Sequence, residues 1–110
     1  MTEKGYKRKG PRVERIFLTS VSRHHDTGEL ASSFVGKTLN LSDGGIMIEI
    51  TEPVPLLSKV DIKVALEEYI LDVKGEVVHL RKIENGHIEM GVKFLDFSDD
   101  GLKKIRNFVH

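Results

Sequence analysis

His87-Ile88-Glu89-Met90-Gly91-Val92-Lys93-Phe94 places Ile88, Met90, Val92 and Phe94 on one face and His87, Glu89 and Lys93 on the other. Period two is the mark of a strand packed on one side and wet on the other, as in an antiparallel sheet. Two upstream stretches read the same way. Ile46, Ile48 and Ile50 oppose Met47 and Glu49, and Val60, Ile62, Val64 and Leu66 oppose Asp61 and Lys63. Between these and the first stretch, residues 69–81 read as a long strand whose parity blurs around Gly75, so a bulge is expected there. Asn85-Gly86 is a strong type I′ hairpin signal. Nearer the N-terminus, residues 16–21 are β-rich, Asp26-Thr27-Gly28 marks a turn, and residues 33–41 form a further strand, interrupted at Gly36. Strands at this spacing predict a small barrel, closed or nearly closed.

The period then changes. Leu102, Ile105, Phe108 and Val109 fall on one helical face, with Lys103, Lys104, Arg106 and Asn107 off it. Ser98 is a credible N-cap, with Asp99 and Asp100 near the positive helix end. The expectation is a short C-terminal α-helix laid against the barrel. Gly5, Gly10 and Pro11 punctuate residues 1–11, where no hydrophobic period appears. The chain therefore divides into an arm, residues 1–12, and a single domain, residues 13–110.

At 110 residues one core suffices without staples, and the absence of cysteine excludes disulfides and thiol chemistry. No apolar run approaches the ~20 residues that span a bilayer. None resembles a secretory signal either, so a cytoplasmic protein without membrane insertion is expected. The formal net charge of zero hides an asymmetry. Lys4, Lys7, Arg8, Lys9, Arg12 and Arg15 stand against only Glu3 and Glu14 in the first fifteen residues, so an anion is expected to bind near the arm.

Two short motifs give that anion a shape. Arg8-Lys9-Gly10-Pro11-Arg12 holds two guanidiniums four residues apart, and Asn40-Leu41-Ser42-Asp43-Gly44-Gly45 follows downstream. A guanidinium fork pairs two acceptors at once, matching phosphate oxygens or O6 and N7 of guanine, and it also stacks on purines. Asn40 and Ser42 can read a base edge or a sugar-phosphate oxygen. Gly44 and Gly45 would allow close backbone approach and conformations barred to other residues. Each motif alone has a plainer explanation: a solvated charge run, and a hairpin turn whose side chains satisfy the backbone.

With both motifs in this order, the chain resembles the PilZ domain family, bacterial receptors for cyclic di-GMP. The resemblance covers nearly the whole chain. Asn40 to Gly45 is similar to the family's Asp/Asn-x-Ser-x-x-Gly element, and the family accepts Asn at the first position. Met90-Gly91-Val92-Lys93-Phe94-Leu95-Asp96 is similar to its Gly-Val-x-Phe strand, and residues 102–109 to its closing helix. The resemblance implies a six-stranded antiparallel β-barrel, the PilZ-like split barrel, with a C-terminal helix. It implies that Arg8 and Arg12 bind guanine and phosphate, while Asn40, Ser42 and Gly45 line the opposing surface. Lys7, Lys9, Asp43 and Gly44 are secondary candidates. A basic residue at Lys7 accompanies binding of a stacked ligand pair in this family. The roomy spacing between motifs is expected to be absorbed by residues 22–33 as a long hairpin connection.

The expected mechanism follows. Residues 1–11 carry too little apolar matter to dock unaided, so the ligand would bridge arm and barrel. Fixing each backbone residue costs roughly 1–2 kcal/mol, which both arginines together must exceed. The new arm position would be read by a protein partner whose identity the sequence does not give; a homodimer stays open. No cofactor beyond the ligand is implied.

Three rival readings remain. The first is a PilZ-like interaction module that does not bind the nucleotide. The second is a small-barrel RNA or single-stranded DNA binder, which the scarcity of aromatics disfavours: Tyr6 is alone in the arm, and Phe17, Phe34, Phe94, Phe97 and Phe108 suit core or sheet. The third is an enzyme. His24-His25-Asp26 is the only histidine cluster, adjacent residues on a strand face opposite ways, and His79, His87 and His110 are isolated, so no catalytic or metal site is expected.

Overall fold

The computed structural model describes residues 18–66, 70–97 and 101–109. They form β1 (Leu18–His24), β2 (Leu30–Leu41), β3 (Gly45–Ile50), β4 (Lys59–Ala65), β5 (Ile70–Lys82), β6 (Ile88–Phe97) and α1 (Gly101–Val109). All pairings are antiparallel, and the strands close into a barrel in the order β1-β2-β3-β6-β5-β4.

The alternating stretches supply the interior. Ile46, Ile48 and Ile50 from β3, Val60, Ile62 and Val64 from β4, and Met90, Val92 and Phe94 from β6 are all buried. Burying each such side chain is worth about 1.5–3 kcal/mol. A one-residue slip of β4 would exchange Val60, Ile62 and Val64 for Asp61 and Lys63, so the register is firmly set. Side chains fill the barrel as in other small barrels. A nucleotide-sized ligand must therefore bind outside it. One polar pair lies within: Thr19 of β1 and Thr38 of β2 are fully buried and share a hydrogen bond between their hydroxyls.

The irregularity expected at Gly75 is present as a shift in the β5–β6 register between Lys74 and Gly75, but the extra residue is Leu95 of β6; β5 itself bulges at Val78, between Val77 and His79. Gly75 is required there, since a Cβ would sit 2.4 Å from Val92 Cγ1 and 2.8 Å from the Lys93 carbonyl. Asn85 (φ 65°) and Gly86 (φ 76°) occupy the centre of the predicted hairpin turn, and the His87 amide donates to the Glu84 carbonyl at 3.2 Å. Two expectations need correction. β2 is not interrupted at Gly36, which pairs with Thr19 while Ile48 of β3 fills the space a side chain would take. The long connection over residues 22–33 shrinks to residues 25–29, because Ser22 pairs with Ser33 and Arg23 with Ser32. That short turn is held by the His25 amide on Glu29 and the Gly28 amide on His25, both at 2.8 Å.

α1 packs against β5 and buries Ile105 completely, while Lys103 and Arg106 are exposed. Ser98, Asp99 and Asp100, expected as its cap, lie outside the described residues. Among the described residues no helix is long and apolar enough to cross a membrane.

Candidate functional site

The second motif spans the end of β2 and the turn into β3, and a bulge decides which way it faces. Thr38 and Leu41 are three residues apart, yet both are fully buried. Strict alternation forbids that. The register between β2 and β3 skips Leu39, and this extra residue lets both side chains turn inward. Asn40, half-buried, is thereby directed outward, opposite Met47 on β3. Met47 in turn pairs with Gly91 of β6, which pairs with His79 of β5. One outer row thus runs from Asn40 across four strands.

Beyond Leu41 the chain turns within residues 42–44. The Ser42 amide donates to the Gly45 carbonyl at 3.0 Å, and its hydroxyl reaches the same oxygen at 3.4 Å while accepting from the Gly44 amide at 3.3 Å. The Gly44 carbonyl accepts from the Phe94 amide at 3.0 Å, which ties the turn to β6. Gly45 presses on that strand so closely that a Cβ would stand 2.5 Å from the Val92 carbonyl oxygen. Gly44 is open, with nothing within 4 Å of such an atom. Neither glycine takes a positive φ, so the conformational freedom expected of this pair is not used; close approach explains Gly45 alone. Asp43 is exposed and meets Arg106 of α1, Nε to Oδ2, at 3.6 Å. Sequence periodicity placed Arg106 only on the polar side of the helix, because its approach to the turn depends on how α1 packs.

The structure therefore brings Asn40, Ser42, Asp43, Gly44 and Gly45 together at one hydrogen-bonded strand end and turn, where Asp43 and Gly44 are exposed and the others half-buried. Arg8, Arg12, Lys7 and Lys9 lie outside the described residues.

Two other polar surfaces carry internal ion pairs. On the outer face of β3, β5 and β6, His79 Nε2 and Arg81 Nε both donate to Glu89 Oε1, at 3.2 and 3.1 Å, and His87 pairs with Glu49. Hydrogen bonds from Arg81, then His79, hold the Glu89 carboxyl below the usual carboxylate range. A concavity of about 640 Å³ lies near the β1–β2 turn, lined among others by His24, His25, Lys59, Asp61, Lys74 and Asp96, and contains no residue of the motif. Its Asp61 is engaged by Lys74 at 3.0 Å and His24 at 3.3 Å, and that carboxylate raises the Lys74 ammonium above its ordinary value. Among the described residues no group of three histidines, aspartates or glutamates can hold a metal ion.

Comparison with solved structures agrees with the barrel. The Bacillus subtilis inhibitor of motility (MotI/DgrA) aligns over 94% of this chain and 50% of its own, with a TM-score of 0.74 and 11% identity. The PilZ domain of YcgR from Escherichia coli, solved with c-di-GMP, aligns over 94% of this chain and 89% of its own, at TM-score 0.67 and 13% identity. The PilZ domain of CeSA from a cellulose-synthesizing bacterium gives 89% and 93%, at TM-score 0.64 and 18% identity. This chain thus spans half the length of the MotI chain. No curated protein matches the sequence. The PilZ domain family matches residues 6–110, a span that includes both motifs and the closing helix, and the chain belongs to that family.

Proposed function

We propose that this PilZ domain is a cytoplasmic receptor for cyclic di-GMP. Arg8 and Arg12 contact guanine and phosphate, and Asn40, Ser42 and Gly45 form the opposing surface. Lys7, Lys9, Asp43 and Gly44 make secondary contacts. Ligand binding changes the position of the arm, which a partner protein reads, and no catalytic step is involved. The observation that carries this reading is the bulge at Leu39, which directs Asn40 to the outer face beside a turn already ordered by Ser42. The reading is further supported by the family match, which starts before Arg8, and by the YcgR PilZ domain having been solved with c-di-GMP.

The test is calorimetric titration of the full chain with cyclic di-GMP, read for affinity and stoichiometry. Arg8→Ala and Arg12→Ala should each weaken binding by up to about a hundredfold, the value of a good bidentate guanine or phosphate contact. Their melts should stay at the wild-type temperature. Ser42→Ala should weaken binding less. Wild-type binding that survives in both arginine variants would overturn the assignment of the arm.

A further inference from the structure

Two cations outside both motifs stand beside the turn. Lys93 is the cross-strand partner of Gly45. Its neighbours Val92 and Phe94 are buried, so Lys93 points away from the core, onto the face that Asn40 and Met47 share. Gly45 has no side chain to separate the ammonium from the turn. Three lysines of β4 and β5 are engaged: Lys59 with Glu76 at 4.0 Å, Lys63 with Asp72 at 3.1 Å, and Lys74 with Asp61 at 3.0 Å. Lys93 has no ion-pair partner among the described residues, and its other cross-strand neighbour, Glu76, is the carboxylate already facing Lys59.

The second cation is Arg106. It approaches the turn from α1 and sits against Asp43, with both side chains largely in solvent, 60% and 44% exposed. An unpaired Asp43 would place a negative charge next to any anion on the turn. Arg106 offsets that charge through its Nε and keeps the rest of its fork free for a second acceptor.

We propose that Lys93 and Arg106 form a cationic rim on the barrel side of the site and contact the phosphodiester groups of the ligand. This inference rests on the turn being the nucleotide seat and adds two binding residues to it.

The experiment is titration of the full chain with cyclic di-GMP at low and at moderate salt. It uses the wild type, Lys93→Gln, Arg106→Gln, Arg106→Lys and, as a control, Lys63→Gln. Each of the first two neutral variants should weaken binding about fivefold, the upper range for an exposed charge pair. Each should also flatten the salt dependence, because one screened contact is gone. Arg106→Lys should recover part of the loss, while Lys63→Gln should bind like the wild type. Melts of all variants should coincide, which separates a contact role from a structural one. Wild-type affinity and salt dependence in Lys93→Gln and Arg106→Gln would overturn the rim while leaving the receptor reading intact. A wild-type chain that does not bind at all would overturn the seat itself and the rim with it.

Discussion

Replacing Gly45 by alanine separates what the fold asks of the motif from what a ligand asks. The added methyl would lie 2.5 Å from the Val92 carbonyl oxygen, a backbone atom inside the β3–β6 ladder, so no side-chain rotation can relieve the clash. The strands must part, and the 3.0 Å bond from the Phe94 amide to Gly44 is the nearest to yield. Overpacking of this kind costs about 1–3 kcal/mol, and losing one backbone hydrogen bond adds about 1 kcal/mol. The sum, roughly 2–4 kcal/mol, corresponds to a drop of about 10–20 °C in Tm for a domain of this size. Gly44→Ala is the matched control, since its new methyl meets nothing within 4 Å and its φ is negative. That variant should melt at or slightly above the wild-type temperature, by about 0.4–1 kcal/mol of stabilisation. The assay is thermal unfolding of the ligand-free protein followed by far-UV circular dichroism. Equal melts for the two variants would refute the reasoning and return Gly45 to the role of a glycine kept only for ligand access.

Thr38→Val should destabilise by about 1–3 kcal/mol, because it strands the Thr19 hydroxyl in a fully buried position. The double variant Thr19→Val/Thr38→Val should recover most of that loss in urea unfolding, and strictly additive losses would refute the pairing. Glu89 gives a pH dependence. Its folded-state carboxyl lies below the usual value, so its contribution is present above the unfolded pKa of about 4.3 and is lost as pH falls through the lower folded value. Glu89→Gln should be less stable than the wild type near neutral pH, and the gap should close on acidification; a gap that persists in acid would contradict this.

The strands were legible because each presents one wet and one packed face, so period two survives in the sequence of β3, β4 and β6. β2 was harder, for a physical reason. Thr38-Leu39-Asn40-Leu41 alternates cleanly on paper, with both leucines on one face. The protein instead turns Thr38 inward, where Thr19 satisfies its hydroxyl, and pushes Leu39 into a bulge. Only a partner nineteen residues away makes that choice favourable, and no local pattern records it. Gly36 misled in the same way, since Ile48 from the next strand fills its gap. The turn of the candidate site was readable from its own residues, whereas Arg106 and Lys93 reach it through α1 packing and the β3–β6 register.

The internal bonds of the turn bear on where affinity can be adjusted. The Ser42 amide, the Ser42 hydroxyl and the Gly44 amide are already committed within the turn, and the Gly44 carbonyl is committed to β6. A nucleotide bound there, as proposed, would find a turn already hydrogen-bonded, which would lower the cost of binding on the barrel side. Under the proposed function, Ser42→Ala would therefore act in two ways, removing a ligand contact and loosening the turn, so its effect on binding should exceed its effect on stability. Among the described residues, the groups that remain uncommitted are the outer ones: Asn40 on the bulged strand, the Lys93 ammonium and the unused nitrogens of Arg106. Under the proposed function, changes at those positions would tune affinity and salt response without touching the core, because Asn40 and Lys93 extend from the outer face of the barrel and Arg106 from the exposed side of α1.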